Sequence, residues 1–133
     1  MSFVPEAAQH LETAAIKTER DVATARRAAS RAMDAIGARA VAKARFVTAV
    51  SEVARNALIH GGGGRLAVHA DERAVYVICA DDGPGIDDVD AALKDGFSTS
   101  DSLGKGLGGA QRLAARFEIE TSPKGTTIRM ASA

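Results

Sequence analysis

The sequence predicts an α/β protein of the α+β kind, in which a mixed sheet is covered on one face by helices. Two long stretches with apolar residues at helical spacing and several short apolar or alternating runs point to it, together with the polar turns that join those runs in pairs.

Residues 1–13 show no clear period, and 14–18 are assigned a short edge strand. From Asp21, taken as the cap, Val22, Ala25, Ala29, Met33 and Ile36 recur at helical spacing, while Arg26, Arg27 and Arg31 fall on other faces. Gly37 stops that helix. A second helix is predicted over 38–60, with Val47, Val50, Ala54, Ala57 and Leu58 as its apolar stripe; the run Gly61 to Gly64 ends it and reads as a hinge or linker. Residues 66–70 and 74–80 read as strands joined by Asp71, Glu72 and Arg73, the second apolar enough to be central. A short helix over 88–94 precedes a polar, glycine-rich stretch, 95–109, that offers nothing to a core. Another helix to about 116 follows, and strands at 117–121 and 126–130 flank the turn Ser122, Pro123, Lys124 and Gly125.

The 133 residues suit one domain, 1–133, with enough chain to bury a core without metal or disulfide support. Lysine plus arginine and aspartate plus glutamate both number 17, so no bulk charge gathers nucleic acid or an anionic membrane, and neither is expected as a partner. Cys79, the only cysteine, falls in the apolar run 75–80 and reads as a buried small hydrophobe, with a reactive thiol as the alternative. No basic segment followed by an apolar stretch opens the sequence, and no run approaches the roughly 18–20 apolar residues of a membrane span, so a cytoplasmic location is expected.

Three segments carry groups suited to a nucleotide. Glu52, Asn56 and His60 recur at every fourth position and share one face of the second helix, drifting about 40° per step. An asparagine carbonyl is a hard neutral oxygen that can take one position on Mg²⁺. A glutamate one turn away can orient or deprotonate a nucleophile. The competing reading for Glu52 and Asn56 is a solvated helix face, and His60 reads as a helix-end residue interacting with the last carbonyls. Directly after the central strand come Asp81, Asp82, Gly83, Pro84 and Gly85. A carboxylate there can accept the exocyclic amino group of adenine, and the glycines let the backbone approach a flat ring; an ordinary tight turn is the alternative.

The third segment runs from Gly96 to Gly109. Its junction with the following helix presents backbone N–H groups and a dipole end to phosphates, with Lys105 as a mobile positive charge; a plain flexible loop is the alternative. Gly104, Gly106 and Gly109 satisfy G-x-G-x-x-G, but the dinucleotide fingerprint needs a strand immediately before it, and here polar residues precede. A Walker loop and the eukaryotic-type kinase motifs are absent from the sequence.

In this order, Glu52-x-x-x-Asn56, Asp81-x-Gly83-x-Gly85, Gly104-x-Gly106-x-Gly108 and Gly125-Thr126-Thr127 resemble the four boxes of the GHKL ATPase superfamily, over about residues 14–130. The resemblance implies the Bergerat fold, a two-layer α/β sandwich whose mixed, mostly antiparallel sheet carries helices on one face. Within the superfamily, the stretches 51–56, 95–100 and 103–107 are similar to the RsbT-type switch kinases of stressosomes, relatives of the RsbW- and SpoIIAB-type anti-sigma kinases. This implies a serine/threonine kinase using ATP and Mg²⁺ on STAS-domain scaffold or antagonist proteins in bacterial stress signalling, with a PP2C-type phosphatase as a further partner.

Carried over residue by residue, the resemblance gives Asn56 the Mg²⁺, Glu52 the general-base role, Asp81 the adenine amino group, and Gly83 and Gly85 the ring approach. Ser98, Thr99, Gly104, Lys105, Gly106, Leu107 and Gly108 become nucleotide-binding residues of the lid, and Thr126 supports adenine recognition. Three readings stay open beside it: an RsbW-like anti-sigma factor that sequesters a sigma factor, a noncatalytic ATP sensor, and the detached catalytic domain of a histidine kinase. Against the last, His10 lies in no recognisable dimerisation helix.

Overall fold

A computed structural model describes residues 2–94 and 103–133, with the side chains of 103–105 outside that description. The elements in order are β1 (Gln9–Ile16), α1 (Glu19–Ala35), α2 (Ala40–His60), β2 (Gly64–Ala70), β3 (Val75–Asp81), α3 (Val89–Leu93), α4 (Leu103–Leu113), β4 (Arg116–Ser122) and β5 (Gly125–Ala131). The strands lie in the order β1-β2-β3-β5-β4, and each of the four pairings is antiparallel. The two-layer sandwich is as expected, with a sheet that is antiparallel throughout and with β3 at its centre.

Successive side chains of a strand point to opposite faces, and that alternation sorts the sheet. Leu66 and Val68 of β2, Val75, Val77 and Cys79 of β3, and Ile128 and Met130 of β5 share one face and join the buried residues of α1, α2 and α4 in a single core. On the other face a small cluster of Ala74, Tyr76 and Ala131 is capped by Phe3, Val4 and Ala8 from the start of the chain. Asp81 and Thr126 have the parity of the helix-covered face and stand where β3 and β5 reach the edge of the core.

Several boundaries moved for physical reasons. Strand β1 begins well before residue 14, its alternation hidden by a register shift between His10 and Glu12. Helix α1 is capped by Thr18, whose hydroxyl accepts the Asp21 N–H at 3.3 Å while the Asp21 carboxylate accepts the Thr18 N–H at 2.9 Å. Asp21 is therefore the third helical residue of a capping box and not the cap itself. The buried stripe of α2 is centred on Phe46, Ala49, Val50, Val53, Ala54 and Ala57, with Val47 and Leu58 only partly buried at its margins.

The glycine run after α2 is no linker. Gly61 closes the helix, Gly62 and Gly63 turn with φ of 73° and 105°, and Gly64 is already in β2. A Cβ on Gly63 would lie 2.8 Å from the Ile16 carbonyl oxygen, so the turn packs directly against the end of β1.

The largest difference is at α4, which begins at Leu103 inside the stretch read as a loop with nothing to offer a core. Leu107 and Ala110 are wholly buried. Glycines disfavour a helix interior by roughly 1 kcal/mol each, but here Gly108 lets α4 close on α3, where a Cβ would stand 2.6 Å from the Leu93 carbonyl oxygen. Tertiary packing outweighs local propensity.

Candidate functional site

Four polar residues converge where α2 ends beside β3 and β5. Asp81 and Thr126 are partners in the β3–β5 ladder, and both are buried, at 8% and 4% exposure. Asn56, 7% exposed, and His60 come from the last turns of α2. With Gly61, Gly85 and Ile86 they line a recess of about 10 Å³. That is room for about one water.

Around Asp81 the chain approaches itself as closely as glycine permits. A Cβ on Gly61 would lie 2.6 Å from Asp81 Cβ and Oδ2, and one on Gly83 would lie 2.7 Å from the α-carbon of Gly61. The Gly83 N–H donates to Asp81 Oδ1 at 2.9 Å, which fixes the carboxyl against the turn it begins. Gly85 and Gly125 take φ of 84° and 147°, and a side chain on either would overlap a backbone carbonyl, of Ser122 and Asp81 respectively. Gly83 and Gly85 were expected to admit a ring. In this structure they stand against other backbone, that of Gly61 and Ser122 respectively.

Buried polar atoms are ordinarily hydrogen-bonded. Two at this site are not: Asn56 Oδ1 and His60 Nε2 are buried and have no partner among the described residues. His60, read as a helix-end residue turned to the last carbonyls, instead leaves that nitrogen unpaired in the wall of the recess.

Thr121 and Gly61, which sequence pattern marks only as a strand residue and a helix stop, also build the site. Thr121 Oγ1 accepts the Ile86 N–H at 2.9 Å and lies 2.8 Å from Thr126 Oγ1, tying the turn after β3 to the β4–β5 hairpin. The signal was present, because Thr121 pairs with Thr126 once the hairpin register is drawn from the turn at 122–125.

Glu52 stands one turn before Asn56 with its side chain one-third exposed, its Oε1 3.4 Å from Arg55 Nη1. On the facing helix, a Cβ on Gly106 would lie 3.1 Å from Glu52 Oε2. Thus α4 brings Gly106 to Glu52 and turns Leu107 into the core, while Gly108 meets α3. Gly104 lies in the first turn of α4. Ser98, Thr99 and the Lys105 side chain lie outside the described residues. Beneath the site, burial pushes the Cys79 thiol up to about 12, with the Asp81 charge adding to the effect.

The sequence profile of the histidine kinase-like ATPase domain matches residues 16–132. The chain belongs to that family. Its match with the serine/threonine-protein kinase RsbT of Bacillus subtilis (strain 168) is 38% identical over 119 residues, covering 86% of this chain and 90% of the relative. The anti-sigma F factor of the same organism is 34% identical over 93 residues, covering 62% of this chain and 64% of that one. Among solved structures, that of the RsbU and RsbW domains of a Mycobacterium tuberculosis protein superposes with a TM-score of 0.64 at 22% identity, over 96% of this chain and 32% of that chain. This last likeness concerns the fold. Among the described residues, no helix of this family member is long and apolar enough to cross a membrane.

Proposed function

We propose that the protein is an ATP-dependent serine/threonine kinase that phosphorylates STAS-domain stressosome or anti-sigma antagonist proteins, acting as a switch in bacterial stress signalling alongside a PP2C-type phosphatase. The observation that carries this reading is the buried Asn56 Oδ1, unpaired in a wall shared with Asp81 and Thr126. A neutral hard oxygen held without a partner suits Mg²⁺, which takes few protein ligands and completes its shell with phosphate oxygens and water. Among the described residues no group of three or more His, Cys, Asp or Glu offers an all-protein cage, in keeping with an ion that arrives with the nucleotide.

In this reading Asp81 accepts the amino N–H of adenine, with the Gly83 N–H holding the carboxyl in place and Thr126 supporting adenine recognition from the neighbouring strand. Asn56 supplies one metal ligand, and bound Mg²⁺ neutralises phosphate charge. The first turn of α4 faces the terminal phosphates, and the positive charge of Lys105 would complement them. Glu52 takes the proton of the incoming hydroxyl as its oxygen bonds to the γ-phosphorus and the bond to the β-phosphate oxygen breaks, with ADP leaving. Positioning and charge neutralisation supply most of such a rate enhancement.

The test is labelled Mg-ATP with purified STAS-domain acceptors. The wild type is expected to label an acceptor, and Glu52→Gln to bind nucleotide without labelling it; full transfer by that variant would refute the base assignment. The similarity to anti-sigma F factors supports a second reading, sequestration of a sigma factor. Stable capture of a sigma factor with no labelled acceptor would favour it.

A further inference from the structure

We propose that Arg55 is a positioning residue for phosphoryl transfer: it holds one oxygen of Glu52 so that the other is presented to α4 and the incoming hydroxyl. The inference rests on the reading of Glu52 as proton acceptor. Arg55 Nη1 lies 3.4 Å from Glu52 Oε1, and its Nη2 lies 3.7 Å from Glu19 Oε1. The guanidinium is thus engaged at both ends, by the carboxylate of the site and by the first turn of α1. The other Glu52 oxygen, Oε2, is the one 3.1 Å from the point where Gly106 would carry a side chain. One carboxylate therefore has an occupied oxygen and an oxygen turned toward the facing helix.

A glutamate alone at a helix surface samples several rotamers. A general base has to sit within about 2.6–3.2 Å of the proton it takes. A planar guanidinium with donors on both sides is well suited to remove that freedom, and lysine, a point charge, can do so only in part. With Arg55 and Glu52 each about one-third exposed, at 37% and 33%, the pair belongs to a class that adds little to stability. Its consequence is orientation. The absence of a side chain at Gly106 fits the same account, since any Cβ there would crowd the free oxygen.

The experiment uses the full chain with labelled Mg-ATP and a STAS-domain acceptor that the wild type labels. Arg55→Gln is expected to lower kcat by roughly 10- to 100-fold with the KM for ATP and the melting temperature unchanged. Arg55→Lys should recover part of the loss. Wild-type kcat in Arg55→Gln, with Glu52→Gln inactive, would overturn the role of Arg55 alone. Full kcat in Glu52→Gln would remove the base assignment and this inference with it. A loss in Arg55→Gln that comes with a lowered melting temperature and is not relieved by Arg55→Lys would mark a structural role and overturn the proposal.

Discussion

Gly61 is packed so closely against Asp81 that a Cβ on it would lie 2.6 Å from the aspartate's Oδ2. The backbone of Gly61 has φ of −95°, open to any residue, so the constraint there is space and not conformation. Alanine at this position must push the carboxyl away from its bond with the Gly83 N–H. Gly61→Ala is expected to destabilise the fold by about 1–3 kcal/mol, the usual cost of overpacking, and to weaken ATP binding at least tenfold. Calorimetric titration together with thermal melts checks this, and unchanged affinity would show that Gly61 does not set the position of Asp81.

Asn56 poses the opposite case. A buried acceptor without a partner costs about 1–3 kcal/mol, and Oδ1 of Asn56 is such an atom. Asn56→Ala removes that cost while leaving a small cavity, so the nucleotide-free protein should melt within a few degrees of the wild type. Mg²⁺-dependent ATP binding should be lost. A large drop in melting temperature with affinity intact would mean that Asn56 serves the fold and not the ligand.

These two residues also mark how far the sequence could be read. Asn56 and Asp81 can be singled out only through the ordered set of four boxes, since a helical spacing or a position after an apolar strand fits a solvated face or a plain turn at least as well. Gly61 was not legible, because its contact with Asp81 joins the end of α2 to the end of β3 and exists only once the chain has folded. The start of α4 was hidden for a related reason. Its glycines read as loop by propensity, and only the burial of Leu107 and the approach of Gly108 to Leu93 make them helical. The capping box of α1 is within reach of the sequence, since Thr18 and Asp21 stand at the required spacing, but an aspartate before an apolar stripe reads as a cap in its own right.

Thr121 holds the turn of the site through its hydroxyl, which accepts the Ile86 N–H and meets the Thr126 hydroxyl. Thr121→Val keeps the shape of the side chain and removes both interactions. With an N–H left unpaired, the loss should be about 1–3 kcal/mol, and ATP affinity should fall several-fold as the 81–86 turn loosens. Thr121→Ser, which keeps the hydroxyl, should restore both, as read by chemical denaturation and nucleotide titration. Equal behaviour of the valine and serine variants would refute the role of the hydroxyl.

Cys79 lies in the core on the same strand as Asp81, and burial raises its thiol to about 12. The thiolate is the reactive form. Against a thiol reagent at pH 8 the native protein should therefore be inert, and it should react fully once denatured. Rapid modification of the native protein would mean that β3 opens readily and would contradict its central, buried place in the sheet.

Acid should weaken the fold through Asp21 and Asp71. The Asp21 carboxyl is held below its ordinary 3.8 chiefly by the Lys17 N–H, with the Thr18 N–H assisting. Asp71 is lowered in the same way, first by the Arg73 N–H and then by that of Ala74, with the Tyr76 hydroxyl also donating to it. A carboxyl whose pKa is depressed on folding contributes stability that is present above its unfolded value and is lost as the pH falls through the folded value. The melting temperature is thus expected to hold steady down to about pH 4 and to fall below it. Asp21→Asn and Asp71→Asn together should lower stability at neutral pH and flatten the decline below pH 4, because the charge that titrates has been removed. Thermal melts across that range decide it: an acid decline as steep in the double variant as in the wild type would place the titrating groups elsewhere.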